Sequence, residues 1–501
     1  MVVKIKTHLD NSKDENVKES NLSLFFKGLS VQTICSFSLS ILQIIMFSFF
    51  SRVLSRVDFG YYAAMMGVIS IIMSISDAGI GSSIIQKQKV TDRFLSTAFT
   101  LSLVVGAFFS FILFVFSNLI SAVIADETVI IPLRLLSITI FLYSIQSYAI
   151  SLLRKHLKFK TVGLLRICSY IISSIIAVLY SIYAGGIYSI IVLYILDSFL
   201  FTVFLFVNVK FPRIFIDPTM LKSILSFGGW LTLGVIITNI SNQLDKLLLG
   251  RMLSVKSLGE YNRPSGFIAN IIGLVNSIFD TVLFPLLSIH QDSKIKMKEI
   301  FYQSNSLLTC MGVVMTALIF INSRFIVYVF LGDKWIDIVP IMQISSLSGL
   351  FMLNNTLADC FFRSYGLVRL GFFIRLLGFI IYLLSIFIGV QYGITGVALS
   401  VLISNLIVVF LKYCFLIMVS NANALSIIKP WVVSVKPIIP LILFSLCLCY
   451  MNDNIIKDIF LLLGCSIIIV IEMTFYPSIF GGVYVRIVNP KFQILLKKIK
   501  L

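Results

Sequence analysis

Five carboxylates fall inside long apolar runs of this sequence: Asp77, Asp197, Asp280, Asp359 and Glu472. A charge at the centre of a spanning helix costs about 2.5–3.5 kcal/mol on insertion scales, so such residues normally face a cavity or a partner. A carboxylate held there can carry a proton or hold a cation. Asp197, near the middle of its run, is the most central and is the candidate for proton coupling. Asp77 sits near a run's end and reads as a helix-terminating or loop-pairing group, while Glu472, in the last run, reads as structural. A second set is basic: Arg134 and Arg375 within runs, and Arg52, Lys246 and Arg251 near run ends. Such side chains either snorkel to the interface or present a cation to an occupant of the membrane interior. Asp245 beside Lys246 reads as an ion pair or a gate.

The elements that must carry these groups dominate the chain. Of its 501 residues 58% are hydrophobic and 12% charged, and the mean hydropathy is +1.02. Soluble domains run nearer 45–50% and 25%. This excludes a soluble enzyme, a nucleic-acid-binding protein and a disordered tail protein. Fourteen apolar runs lie near 29–50, 61–81, 96–124, 129–153, 163–183, 186–208, 223–249, 264–287, 302–323, 337–362, 370–390, 393–419, 432–451 and 455–477. Most reach the roughly 20 residues that a helix needs to span. They are continuous rather than alternating, which excludes a barrel. The expected fold class is an all-α polytopic membrane protein with about fourteen transmembrane helices. The thirteenth run is the weakest, because Lys436, Pro437 and Pro440 interrupt its start. The first run is too long for a signal-peptide core, so it reads as a span.

The net charge of +18 follows from orientation. With the N-terminus in the cytoplasm, twenty-nine of the 40 Lys and Arg fall on the cytoplasmic side and ten on the other, with Arg375 inside a span. That count places Arg166 and Lys412 with the cytoplasmic charges, and Asp245 and Arg263 on the opposite side. The bias is the positive-inside pattern and puts both termini in the cytoplasm. The basic stretch 154–160 and the tail are expected to lie against anionic lipid head groups. The eight cysteines sit in or near apolar runs without disulfide or metal spacing. No G-x(4)-G-K-[ST] loop occurs, so ATP is not the expected drive and ion or voltage coupling remains.

The chain also repeats itself. Arg52-Val-Leu54-Ser55 leads to Gly60-Tyr-Tyr62, and Arg251-Met-Leu253-Ser254 leads to Gly259-Glu-Tyr261. Both copies read R-x-L-S-x(4)-G-x-Y at a constant offset of 199 residues, and each follows the first span of a six-span half. An even number of spans gives the halves one orientation, the parallel repeat of transporters that rock about a site between halves.

At these residues the sequence resembles the polysaccharide-biosynthesis flippases, translocases of lipid-linked O-antigen and exopolysaccharide units within the multidrug/oligosaccharidyl-lipid/polysaccharide exporter superfamily. The segments that carry the resemblance are 51–61, Asp77-Ala-Gly79, Ile84-Ile-Gln86, 242–253 and Leu258-Gly259-Glu-Tyr261-Asn262. It implies a six-helix bundle over 29–210, a second over 211–420 and two further spans over 421–480. A cytoplasmic segment 1–28 and a basic tail 481–501 flank them. It implies passage of an undecaprenyl-pyrophosphate-linked oligosaccharide from the cytoplasmic to the periplasmic leaflet of a bacterial inner membrane. A pyrophosphate suits Arg and Lys, which makes Arg134, Arg375, Arg52, Arg251 and Lys246 the candidate substrate residues. Related exporters hold a cation in one bundle, which adds Asp280 and Asp359 to Asp197 as candidates for coupling to protons or sodium. Implied partners are anionic lipids, a polysaccharide polymerase and a chain-length regulator, with no nucleic acid, cofactor or metal. The rivals are a drug/cation antiporter, which would want an acidic, aromatic pocket, and a membrane polymerase or ligase, which would want a large loop bearing catalytic groups.

Overall fold

The computed structural model describes residues 31–77, 79–87, 90–124, 127–209, 211–289, 293–420, 423–448 and 455–475. The expected segments 1–28 and 481–501 fall outside them, as does the side chain of Asp280. The helices are α1 (Val31–Val53), α2 (Arg56–Ser76), α3 (Ile80–Gln86), α4 (Asp92–Val115), α5 (Ser117–Ile124), α6 (Ile130–Lys155), α7 (Phe159–Tyr183), α8 (Tyr188–Asn208) and α9 (Pro218–Met252). They continue as α10 (Val255–Ile289), α11 (Lys294–Ile321), α12 (Ser323–Phe330), α13 (Val339–Ser364), α14 (Val368–Val390), α15 (Gly393–Ser420), α16 (Ala424–Val433), α17 (Ile438–Leu448) and α18 (Ile455–Phe475). Each of the fourteen apolar runs falls on one or two of these helices. Among the described residues, 11 helical segments are long and apolar enough to cross a membrane. The chain is an all-α, multi-pass membrane protein.

Of the boundaries that differ from expectation, two have visible reasons. The third run is interrupted at Phe116, which separates α4 from α5. The thirteenth starts earlier, at Ala424, where the Asn423 side chain accepts from the Leu425 N–H at 3.0 Å and caps α16. It then breaks into α16 and α17 around Lys436-Pro437, because proline cannot continue the helical hydrogen-bond ladder.

The chain forms two compact units, Met1–Gln43 with Val68–Ile236, and Ile44–Gly67 with Ile237–Leu501. In the first, helices meet through small polar residues, as membrane interfaces favour. The Ser144 hydroxyl on α6 donates to the Ser102 carbonyl on α4 at 2.9 Å, beside Gly106, where a Cβ would press on Ser144. Gln146 on α6 donates to the Ser198 carbonyl at 2.8 Å and to the Thr202 hydroxyl at 2.9 Å on α8. Before α9, the Asp217 carboxylate accepts from the Thr219 hydroxyl at 2.6 Å and its N–H at 2.9 Å; these bonds hold its carboxyl below the ordinary range.

In the second unit the two copies of the repeat meet. Ser55 caps α2, accepting from the Asp58 N–H at 3.1 Å, while the Asp58 carboxylate accepts from the Ser55 N–H at 3.0 Å. This reciprocal pair is a capping box. Ser254, its equivalent 199 residues on, caps α10 through the Ser257 N–H at 3.0 Å. One turn later the glycines cross. A Cβ on Gly60 would overlap the Val255 carbonyl oxygen, and one on Gly259 would overlap that of Arg56. Val255 is the repeat equivalent of Arg56, so the contact is related to itself by a local two-fold. The segment 323–338 fastens onto the same place. Trp335, fully buried, donates its indole N–H to the Ser51 carbonyl at 2.9 Å, and Lys334 donates to that of Arg52 at 3.1 Å. Both satisfy carbonyls that the end of α1 leaves open. Arg56 pairs with Glu260 at 2.7 Å and Asp337 at 2.6 Å.

Gly60→Ala or Gly259→Ala should therefore force backbone apart and cost about 1–3 kcal/mol, the range for overpacking. Gly266→Ala, where a Cβ meets nothing within 4 Å, is the control. Thermal melting in detergent should fall for the first two and hold for the third.

Candidate cavity of the second unit

Five helices of the second unit, α9, α10, α13, α14 and α15, surround a cavity of about 500 Å³, within the usual range for small-molecule sites. Each presents one face. On α14 the cavity meets Arg375, Gly378, Phe379 and Tyr382; on α15, Ala398, Val401, Asn405, Val408 and Lys412. These are the three- and four-residue steps of a single helical stripe. α13 contributes Ser348, Met352, Asn355 and Asp359 in the same way.

Three of the sequence-predicted residues meet here: Lys246, Arg375 and Asp359. Lys412 donates to the Asp359 carboxylate at 2.8 Å, and Arg375 approaches the same oxygen at 4.0 Å through Nε. Arg375 Nε also donates to the Gly371 carbonyl at 3.2 Å. Its two terminal nitrogens have no hydrogen-bond partner among the described residues. The guanidinium thus keeps its fork available for an anion. Lys246 Nζ donates to the neutral Gln243 amide oxygen at 3.0 Å.

Four residues counted with the charges of the two membrane faces stand on helices and are buried or paired there. Lys412 is a residue of α15, 3% exposed, and not a loop cation. Asp245 is buried on α9, accepting from the Tyr261 hydroxyl at 2.6 Å, the Lys246 N–H at 2.9 Å and Tyr382. Arg263 is buried on α10 over the rings of Phe47 and Phe59. Arg166 stands on α7 and pairs with Asp197 at 2.9 Å. All four carry charge that a helix can tolerate once another side chain solvates it. Lys412 had a signal: it lies inside a run already read as a span, seven residues from Asn405.

The other candidates lie elsewhere. Arg134, on α6, donates to Ser117 at 3.0 Å and Asn118 at 3.2 Å, pinning the start of α5. Arg52 donates to the Val329 carbonyl at 2.6 Å. Arg251 is exposed at the end of α9. Asp197, in the first unit, is buried and accepts from Ser169 at 2.9 Å besides its bond to Arg166. Asp77 accepts from the Ser147 hydroxyl at the end of α2. Glu472 is buried on α18, and its Oε2 has no hydrogen-bond partner among the described residues.

The all-α fold is shared with solved membrane proteins, one of them described as a transporter of the MOP superfamily. A solved lipid II flippase MurJ in an inward closed conformation superposes with a TM-score of 0.73 at 16% identity, over 93% of this chain and 99% of that one. An inward-facing multidrug resistance MATE family transporter of that superfamily gives 0.64 at 12% identity, over 78% and 98%. At such identities the likeness is one of fold. The polysaccharide biosynthesis protein family model matches residues 49–340, and the chain belongs to that family. It is 24% identical to the lipopolysaccharide biosynthesis protein WzxC of Escherichia coli, over 78% of this chain and 80% of that protein. It is also 24% identical to the teichuronic acid biosynthesis protein TuaB of Bacillus subtilis, over 73% and 76%.

Removing one partner of a buried pair strands the other, at about 3–5 kcal/mol, whereas replacing both is nearly neutral. Asp359 is partly open to the cavity, so the low end applies. Lys412→Met and Asp359→Asn should each lower the melting temperature in detergent, and the double variant should recover most of the loss.

Proposed function

We propose that this protein is a flippase. It carries an undecaprenyl-pyrophosphate-linked oligosaccharide of a surface polysaccharide from the cytoplasmic to the periplasmic leaflet of a bacterial inner membrane. Family membership supports the substrate class, and the single observation that carries the reading is Arg375, with its guanidinium fork unengaged on the cavity wall. A sugar hydroxyl taken into hydrocarbon without a partner costs several kcal/mol. A wall rich in amides and hydroxyls, such as Asn242, Asn276, Asn405 and Thr356, removes most of that cost while the lipid tail stays in the bilayer. The cavity's cations Lys246, Arg375 and Lys412 outnumber its carboxylates Asp245 and Asp359, which weighs against a cation-selective drug antiporter. The relatives bear biosynthesis and transport names, which weighs against a polymerase or ligase.

In this reading 29–210 and 211–420 are the two six-helix halves, 421–480 adds the last spans, and both termini are cytoplasmic. Arg375 holds the pyrophosphate. Arg134 and Arg52, bonded to Ser117, Asn118 and the Val329 carbonyl, take helix-end contacts in this reading, and Arg251 stays a substrate candidate. Asp359, neutralising Lys412 beside Arg375, ties the anion site to a group that protons or sodium can discharge. Asp280 stays a coupling candidate with it.

Reconstitution of the full chain in proteoliposomes with a defined lipid-linked oligosaccharide tests this. Arg375→Ala should reduce translocation at least about tenfold, the worth of one charge-assisted hydrogen bond, and Arg375→Lys should recover part of it. Full surface glycan from an Arg375→Ala strain would sink the assignment. Asp197→Asn is expected to flatten the pH dependence of transport; a profile matching wild type removes Asp197 from coupling.

A further inference from the structure

The cavity's charges lie in two layers. Arg375 and Tyr382 are seven residues apart on α14, and Asn405 and Lys412 are seven apart on α15. At 1.5 Å per residue each interval is about 10 Å. The helices run in opposite directions with Gly378 against Val408 midway, where a Cβ would lie 3.1 Å from the valine side chain. One layer is therefore Arg375, Lys412 and Asp359, joined at 2.8 and 4.0 Å. The other is Tyr382 with Asp245, Tyr261 and Lys246, where Asn405 donates to Ser348 at 3.0 Å.

Within the second layer the two charges are treated unequally. Three neutral donors bond to Asp245, the Tyr261 and Tyr382 hydroxyls and the Lys246 backbone N–H, and the Lys246 charge acts on it from beyond ion-pair distance. The Lys246 ammonium forms no ion pair among the described residues, and Gln243 takes one of its three protons. On α13, between the layers and one turn from Asp359, stands Asn355. Its amide oxygen is buried with no hydrogen-bond partner among the described residues. A buried acceptor left open is costly and calls for a donor from an occupant. By helix register Arg375 belongs to the first layer, Asn355 lies between, and Lys246 follows Asp245 in the second.

A diphosphate is two linked tetrahedra, much shorter than two turns of helix, and Lys246 keeps ammonium protons for a second acceptor beyond it. Resting on the flippase reading above, we propose that the oligosaccharide is acidic. Its diphosphate lies at Arg375, a hydroxyl of the intervening sugar donates to Asn355, and a carboxylate on a neighbouring sugar lies at Lys246.

Two probes test this in proteoliposomes of the full chain: undecaprenyl-diphosphate-linked disaccharides that differ only in glucuronic acid or glucose as the second sugar. Wild type should move the acidic probe at least about tenfold faster. Lys246→Gln should bring the ratio close to one, Lys246→Arg should keep it, and Arg375→Gln should slow both probes together. Equal rates in wild type, or a Lys246→Gln variant that slows both probes alike and so places Lys246 on the diphosphate, overturns the acidic-sugar assignment and leaves the flippase reading standing. Failure of wild type to move either probe overturns the flippase reading and this inference with it.

Discussion

Hydrocarbon holds no water to answer a polar group, so every backbone and side-chain charge in the membrane must be answered from within the protein. This constraint shapes the whole chain. Backbone groups are answered by helices, and helix ends by side chains such as Ser55, Asn423, Trp335 and Lys334. Charges are answered by other charges or by clustered hydroxyls, as in Arg166 with Asp197, Lys412 with Asp359, and Asp245 with its tyrosines. At Arg375, Lys246 and Asn355 polar atoms on the cavity wall keep hydrogen-bonding capacity that no described residue takes up.

The same constraint explains the duplicated motif. Helices in a bilayer cannot rely on burying apolar surface against one another, because lipid is as apolar as they are. Close backbone approach replaces it. Gly60 and Gly259 admit each other's neighbouring carbonyls, the serine caps set where α2 and α10 begin, and segment 323–338 closes over the result. A motif that sequence comparison reads as a family mark is, physically, a self-complementary joint.

Much of the fold was legible because hydropathy over twenty residues is a strong signal. Each of the fourteen runs falls on one or two helices, and the differences lie at breaks such as Phe116 and Lys436-Pro437 and at early helix starts such as Val255. The cavity was legible only in part. Arg375, Lys246 and Asp359 were visible as charges within or next to apolar runs, but so were Arg134, Arg52 and Asp197, and nothing in one dimension separates the two groups. Arg166, Asp245 and Lys412 lie inside apolar runs and Arg263 beside one, but position along a run does not say which partner each charge meets.

The one-dimensional pattern determined the class of the protein, the order of its apolar helices and the presence of a repeat. These depend on composition and on spacing along one chain. Which charges share a cavity, and which are spent on pinning helix ends, was decided by the tertiary structure alone. Asp359, Arg375 and Lys412 are up to 53 residues apart, and their meeting depends on which face each of three helices turns inward. That choice is made by packing between helices, through contacts such as Gly378 on Val408, and no single helix encodes it.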